Sequence, residues 1–331
     1  MGFIDDIFDK IGENDLNQDV SDWLGTGFLP LNKALSGRHD GGFPVGRITE
    51  IYGGESSGKT LLATMAMIET QRKGGLAVML DYEHAFSMRR ARSLGLCGDR
   101  EQWIYKQPET AEAGFKIIEL IANKVREADS EKHVTVVCDS VASMLTQSEL
   151  EADYDESNMK TKLSLPAVLS TSLKKLAGLI NKTNVTLIFL NQVRDNPGVM
   201  FGDKEKTAGG RALKFYASVR VRLSKAGKIK EGEDITGENV VALTVKNKVF
   251  EPFKKVSYVS NFAEGVNLEL SHINALKDVG MLGKTKGWLE WGGDKYRAKD
   301  LEALLKKERL VEGGAYERFL SLFDELDGEK C

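Results

Sequence analysis

Eight residues, Gly53-Gly54-Glu55-Ser56-Ser57-Gly58-Lys59-Thr60, constrain this chain more than any other feature. They fit the pattern G-x-x-x-x-G-K-[ST], a loop whose glycines let the backbone turn tightly and aim its N–H groups at phosphate oxygens. In such a loop Lys59 reaches the β- and γ-phosphates and the Thr60 hydroxyl holds Mg²⁺. A glycine-rich surface turn would give the same letters, and the flanks argue against it. Arg47 to Tyr52 reads as a β-rich strand, and Leu61 to Ile68 has good helix formers and no breaker. Strand, loop and helix is the order phosphate binding needs, because the helix N-terminus adds its dipole to anion binding.

The rest of the chain supplies an α/β frame for that loop. Strands are expected near 47–52, 76–81, 134–139 and 185–191, and helices near 59–72, 111–128 and 163–182. Val134 to Cys138 and Val185 to Leu190 are continuously apolar or β-branched, the mark of parallel strands buried on both faces. Helical crossovers between them give a doubly wound, mostly parallel sheet. After residue 216 the pattern alternates, in Ala217 to Leu223 and Val241 to Lys246, which reads as hairpins with Gly227, Gly232 and Gly237 in turns. From about residue 267 a small α+β segment is expected, with Trp288, Trp291, a helix near 299–308 and an acidic tail at Asp324-Glu325-Leu326-Asp327. The expected division is an N-terminal arm over 1–24, a core over 25–266 and a small C-terminal domain over 267–331.

Composition excludes several classes. The 331 residues are 41% hydrophobic and 29% charged, as in a globular protein, and no apolar run is long enough to span a bilayer. The first residues lack the pattern of a signal peptide. Cys97, Cys138 and Cys331 have no metal-ligand spacing and suit a reducing cytoplasm. The net charge of −3 conceals an asymmetry: residues 164–230 carry thirteen Lys/Arg and three Asp/Glu. A basic middle in an acidic protein fits either a polyanion site or a solvated charged face.

Catalytic candidates follow from the strand ends. Asp139 closes the strand Val134 to Cys138 and is placed to join Thr60 around Mg²⁺. Glu83, after the strand ending at Asp81, is expected at the same sheet edge as the general base for water. That edge is where ligands bind in open α/β folds. Gln192 ends a further strand and is placed to sense the γ-phosphate. Residues 193–210, with Gly, Pro, charges, Met200 and Phe201, read as a long functional loop.

Together these residues resemble the RecA family of homologous-recombination ATPases. The resemblance rests on Gly46 to Thr60, Asp81-Tyr82-Glu83-His84-Ala85, Val137 to Ala142, and Lys175-Leu176-Ala177-Gly178. It continues through Phe189 to Arg194, Gly198 to Gly202, Gly209 to Arg220 and Val245-Lys246-Asn247-Lys248. It implies an ATP- and Mg²⁺-dependent helical filament on single-stranded DNA that pairs and exchanges strands with a homologous duplex. Gly53 to Thr60, Asp139, Ser140 and Arg90 would bind the nucleotide, and Glu83 and Gln192 would act as base and relay. Lys246 and Lys248 would cross to the neighbouring subunit's ATP, as an arginine finger does. Residues 193–207 would be the second DNA loop, with Lys174, Lys175, Arg194, Met200, Phe201, Gly209, Gly210 and Arg211 on DNA. Phe3 to Ile11 would dock on the next subunit. Loading or mediator proteins are further expected partners.

Departures accompany the likeness. The first DNA loop, about 152–163, is acidic and long. Ser87 and Arg90 stand where the family offers Asp and Tyr to the adenine, so Arg90 would stack on the base instead. Past residue 267 the likeness to bacterial members is expected to fade, and Arg297-Ala298-Lys299-Asp300 is similar to phage recombinases. Rival readings are a ring-forming motor of the DnaB or RadA type and a nucleotide-gated DNA-binding scaffold.

Overall fold

The computed structural model describes residues 19–128, 131–152, 164–195, 205–285 and 287–328. The amphipathic stretch 3–11, most of the first loop, and Met200 and Phe201 lie outside them.

Two short strands, β1 (Trp23–Leu24) and β2 (Phe43–Pro44), flank helix α1 (Leu29–Ser36). The core then alternates: β3 (Ile48–Gly53), α2 (Lys59–Arg72), β4 (Leu76–Asp81), α3 (Met88–Ser93), β5 (Trp103–Lys106), α4 (Ala111–Glu127) and β6 (Val134–Asp139). After α5 (Gln147–Leu150) come α6 (Leu165–Ile180), β7 (Val185–Asp195), β8 (Glu205–Thr207) and α7 (Ala212–Tyr216). A meander of β9 (Val219–Glu231), β10 (Asp234–Asn247), β11 (Lys255–Asn261) and β12 (Gly265–Asn267) completes the sheet. Its strand order is β12-β11-β10-β9-β3-β7-β6-β4-β5. The stretch from β9 to β5 is parallel, and β10 to β12 add antiparallel strands.

Continuous apolar strands require cover on both faces. One face packs Ile51, Met79 and Val221 against Leu35 of α1 and Leu62 and Met67 of α2. The other packs Leu80, Val136 and Phe189 against Phe115 and Ile118 of α4 and Leu169 and Leu173 of α6. Cys138 is plain core, and burial pushes its thiol pKa up. The apolar cover ends at the strand termini, so the C-terminal edge collects the chemistry. The register sets Gly53 beside Gln192 and Asp81 beside Asp139.

Two sequence expectations change. Gly232 does turn the β9–β10 hairpin, but Gly227 and Gly237 sit inside its strands, at register shifts. A Cβ on Gly237 would lie 2.4 Å from the Ser260 carbonyl oxygen, so the third strand's close approach is what requires glycine there. The acidic residues 324–327 are the last turns of a helix. After α8 (Leu268–Asp278), the strands β13 (Gly283–Thr285), β14 (Trp288–Trp291) and β15 (Asp294–Tyr296) and helix α9 (Ala298–Lys307), helix α10 (Ala315–Gly328) is the last described element. Phe319 and Phe323 anchor α10 in a separate apolar cluster with Ile273, Leu289 and Leu301. Asp327 is held by Lys33 and, at 2.7 Å, by His39 Nδ1.

Candidate nucleotide site and nucleic-acid loops

β3 runs straight into the phosphate loop. A Cβ on Gly53 would lie 2.3 Å from the Leu223 carbonyl oxygen, so β9 presses on the strand end and only glycine fits. Gly58 takes φ +89° and opens α2, whose first N–H groups face the loop. Lys59 Nζ donates to the carbonyls of Gly53 at 3.2 Å and Gly54 at 2.8 Å. Burial lowers its pKa, against the pull of Asp139, Glu83 and Glu55. The Ser57 hydroxyl is buried without a hydrogen-bond partner. A cation resting on carbonyls, an orphaned hydroxyl and a helix N-terminus form an electropositive cradle that fits a triphosphate.

Thr60 Oγ1 donates to Asp139 Oδ2 at 2.8 Å. Burial pushes the Asp139 pKa up to about 6, helped by the Glu83 and Asp81 carboxylates and opposed by Thr60 and Lys59. One hydroxyl and one carboxylate beside a phosphate cradle are hard oxygen donors of the kind Mg²⁺ takes.

Glu83 hangs exposed in the turn after β4. Asp81 shapes that turn, accepting the N–H groups of Glu83 and Phe86 at 3.0 Å and the Tyr105 hydroxyl at 2.8 Å. Gln192 Nε2 donates to Glu83 Oε1 at 3.0 Å, and the Ser140 hydroxyl donates to the same oxygen. Ser140, expected on the nucleotide, turns its hydroxyl to Glu83. β4, β6 and β7 thus deliver Glu83, Asp139, Ser140 and Gln192 to one edge, beside the loop from β3.

This constellation has relatives. The model of the RecA N-terminal domain matches residues 3–267. Protein RecA of Chloroherpeton thalassium is 42% identical, over 82% of this chain and 72% of its own length. Protein RecA of Geobacter sulfurreducens is 38% identical over 93% and 88%, a coverage that runs past residue 267, where the likeness was expected to fade. The chain belongs to the RecA family. It is an ATP-dependent DNA recombinase, a DNA-dependent ATPase acting in recombination and repair. The solved structure of the RadB recombinase, at TM-score 0.52 and 24% identity over 73% of this chain and 98% of its own, shares the fold.

Within this RecA-family core, Arg90 does not project freely toward a base. Its guanidinium donates to the Phe262 carbonyl at 2.7 Å, tying α3 to the β11–β12 turn. Phe262 itself is exposed beside it and escaped the sequence reading, since a lone Phe among polar turn residues gives no periodic signal.

The DNA candidates divide. Arg194, near the end of β7, pairs in register with Lys206, and Gly209, Gly210 and Arg211 follow β8. Gly209 at φ +81° lies against Leu169, and Gly210 at φ +72° against Pro166, so this segment packs on the first turns of α6. Lys174 and Lys175 lie further down α6, roughly 12 Å along its axis, toward the opposite sheet edge. The structure does not bring them to Arg194 and Arg211. Lys175 is instead paired with Glu119 of α4 at 2.7 Å.

Beneath the edge lies a network the sequence reading missed. Glu50, wholly buried in β3, accepts Arg220 Nε at 2.5 Å and Asn191 Nδ2 at 2.9 Å. Asn191 also donates to the Ala208 carbonyl at 3.0 Å, and its own carbonyl accepts the Gln192 N–H at 2.9 Å. The signal was available: a carboxylate in the middle of a buried apolar strand demands a partner.

Lys246 and Lys248 gather at α7. Lys246 Nζ donates to the carbonyls of Lys214 at 2.7 Å and Phe215 at 2.9 Å, and Lys248 Nζ lies 5.8 Å from the Phe215 ring centre. Burial, then Lys248 and Arg220, pushes the Lys246 pKa down to about 8. In register, Lys246 pairs with Arg220 and Arg220 with Glu50, three residues before Gly53. That is roughly 10 Å of strand from the phosphate loop, and Lys248 lies further toward the opposite edge.

Proposed function

We propose that this recombinase assembles head to tail into a helical filament on single-stranded DNA, with each ATP site completed by a neighbouring subunit. In that filament it pairs the bound strand with a homologous duplex and exchanges strands. The observation that carries this reading is the place of Lys246 and Lys248. Both gather at α7, away from their own chain's phosphate loop, and Lys246 rests there on neutral backbone carbonyls that it can exchange for a neighbour's phosphates. A head-to-tail contact of this kind builds an open helix when its rotation does not close.

At each site the loop N–H groups and Lys59 hold the β- and γ-phosphates. Thr60 and Asp139 would hold Mg²⁺, which would supply charge neutralisation on the phosphate oxygens. Glu83 orients the attacking water and takes its proton. Gln192 leaves Glu83 for the γ-phosphate, and its backbone tie to Asn191 passes that movement to Ala208 and the DNA segment beyond. Arg194 and Arg211 take phosphates of the bound strand. The reading places the protein in the cytoplasm; no described helix is long and apolar enough to cross a membrane.

The test is ATP hydrolysis with and without single-stranded DNA, in the wild type and in Lys246→Ala. DNA-stimulated turnover that the substitution abolishes, with nucleotide binding intact, supports the shared site. Turnover indifferent to both makes each site self-contained and returns the motor or scaffold reading.

A further inference from the structure

We infer that Ser140 is a positioning residue for Glu83: its hydroxyl keeps one carboxylate oxygen engaged, so the other faces the water when Gln192 departs. This rests on the reading of Glu83 as the base.

Ser140 occupies the N-cap position of the short turn Val141–Ser143, where a serine side chain ordinarily accepts a backbone N–H of the turn. Here it makes no such cap bond. Its backbone carbonyl accepts the Ser143 N–H at 3.1 Å, so the turn is closed without the side chain. The hydroxyl instead donates to Glu83 Oε1. Ser140 is fully buried, whereas Glu83 is exposed and its backbone lies in a turn. A side chain of that kind has several rotamers, and holding one of them needs a fixed donor.

Two donors share Oε1, and they differ in kind. Gln192 lies within β7 and reaches Glu83 through a long side chain ending in an amide, and its other calling is the γ-phosphate. Ser140 follows Asp139 directly at the end of β6, on the rigid sheet, and has one hydroxyl proton to give. When Gln192 turns to phosphate, Ser140 alone keeps Oε1 occupied. Oε2, for which no partner is described, then accepts the proton from water. Ser140 acts through Glu83.

The experiment measures kcat and KM for ATP on the full chain with saturating oligo(dT), in wild type, Ser140→Ala, Glu83→Gln and the double variant. Ser140→Ala removes one oxygen from a packed site, and its thermal midpoint checks that it folds. The expected result is a kcat about tenfold lower with KM unchanged, the loss of one hydrogen bond to a charged group. In the Glu83→Gln background, single-turnover rates with and without Ser140→Ala should agree, because the hydroxyl has no base left to position. A raised KM in Ser140→Ala, a kcat equal to wild type, or an undiminished loss in the Glu83→Gln background overturns the assignment. Full turnover in Glu83→Gln by itself overturns the base reading instead.

Discussion

Lys246 Nζ donates to the carbonyl of Lys214 at 2.7 Å, closing the C-terminal end of α7 with a cation. One lysine therefore joins two segments: the strand β10, and the short helix that follows the proposed DNA segment at Gly209 to Arg211. Moving Lys246 onto a neighbour's phosphates would release those carbonyls. In the proposed filament, that exchange would link nucleotide state in one subunit to the position of α7 in the next.

Complementation tests the shared site directly. Lys59→Ala and Lys246→Ala are each expected to lower DNA-stimulated turnover by about 10²-fold or more. Mixed before DNA is added, the two variants should recover part of the wild-type rate. A Lys246→Ala subunit keeps its own phosphate loop and borrows Lys246 from a Lys59→Ala neighbour. A mixture no faster than its components would rule out sharing.

Glu83→Gln keeps the size of the side chain and removes its basicity. Turnover should fall by about 10²- to 10⁴-fold while nucleotide affinity stays within a few-fold. Calorimetric nucleotide titration beside a steady-state assay separates the two effects.

Arg220→Ala strands the Glu50 carboxylate in β3 with only Asn191 to meet it. Because Glu50 is wholly buried, the expected loss is about 3–5 kcal/mol, read from urea midpoints. Glu50→Met with Arg220→Leu should cost much less, since no charge is left unpaired. That double variant leaves the Asn191 link between Gln192 and Ala208 in place and removes only the Glu50 oxygen that Asn191 also meets.

His272 sets an acid limit to stability. It is buried between α1 and α10, with Nε2 accepting the Leu29 N–H at 3.3 Å and Nδ1 at 3.2 Å from the Tyr316 hydroxyl. Burial, then the nearby Arg309 and His39, pushes its pKa down to about 3 from 6.5. The unfolded chain therefore binds a proton below 6.5 that the folded chain refuses. Its contribution is whole above pH 6.5 and is lost as pH falls from 6.5 toward 3, by up to about 1.4 kcal/mol per unit. Unfolding midpoints at pH 7 and pH 5.5 should show a smaller drop in His272→Gln than in the wild type.

Much of the site was legible because its signals are local. Gly53 to Thr60, the apolar strand ending at Asp139 and the exposed Glu83 each announce themselves within about ten residues, and the strand period places them at one edge. The pairings were not. Lys175 looks free in sequence and is bound to Glu119. Ser140 looks like a nucleotide contact and bonds to Glu83. Asp324 to Asp327 look like a tail and are helical, since Phe319 and Phe323 find a core that only the folded C-terminal segment provides.

By itself, the sequence determined the element types, the doubly wound core, the family and the candidates for phosphate binding and acid–base chemistry. These follow from hydrophobic period, glycine placement and short motifs, which are properties of neighbouring residues. Only the tertiary structure decided which polar groups meet: Glu50 with Arg220, Asn191 with Ala208, Lys246 with α7, and Ser140 and Gln192 on one oxygen of Glu83. Those partners lie up to 170 residues apart, and no local pattern fixes which donor a buried acceptor will find. Strand order and register fix it, because they set which side chains face each other across the sheet.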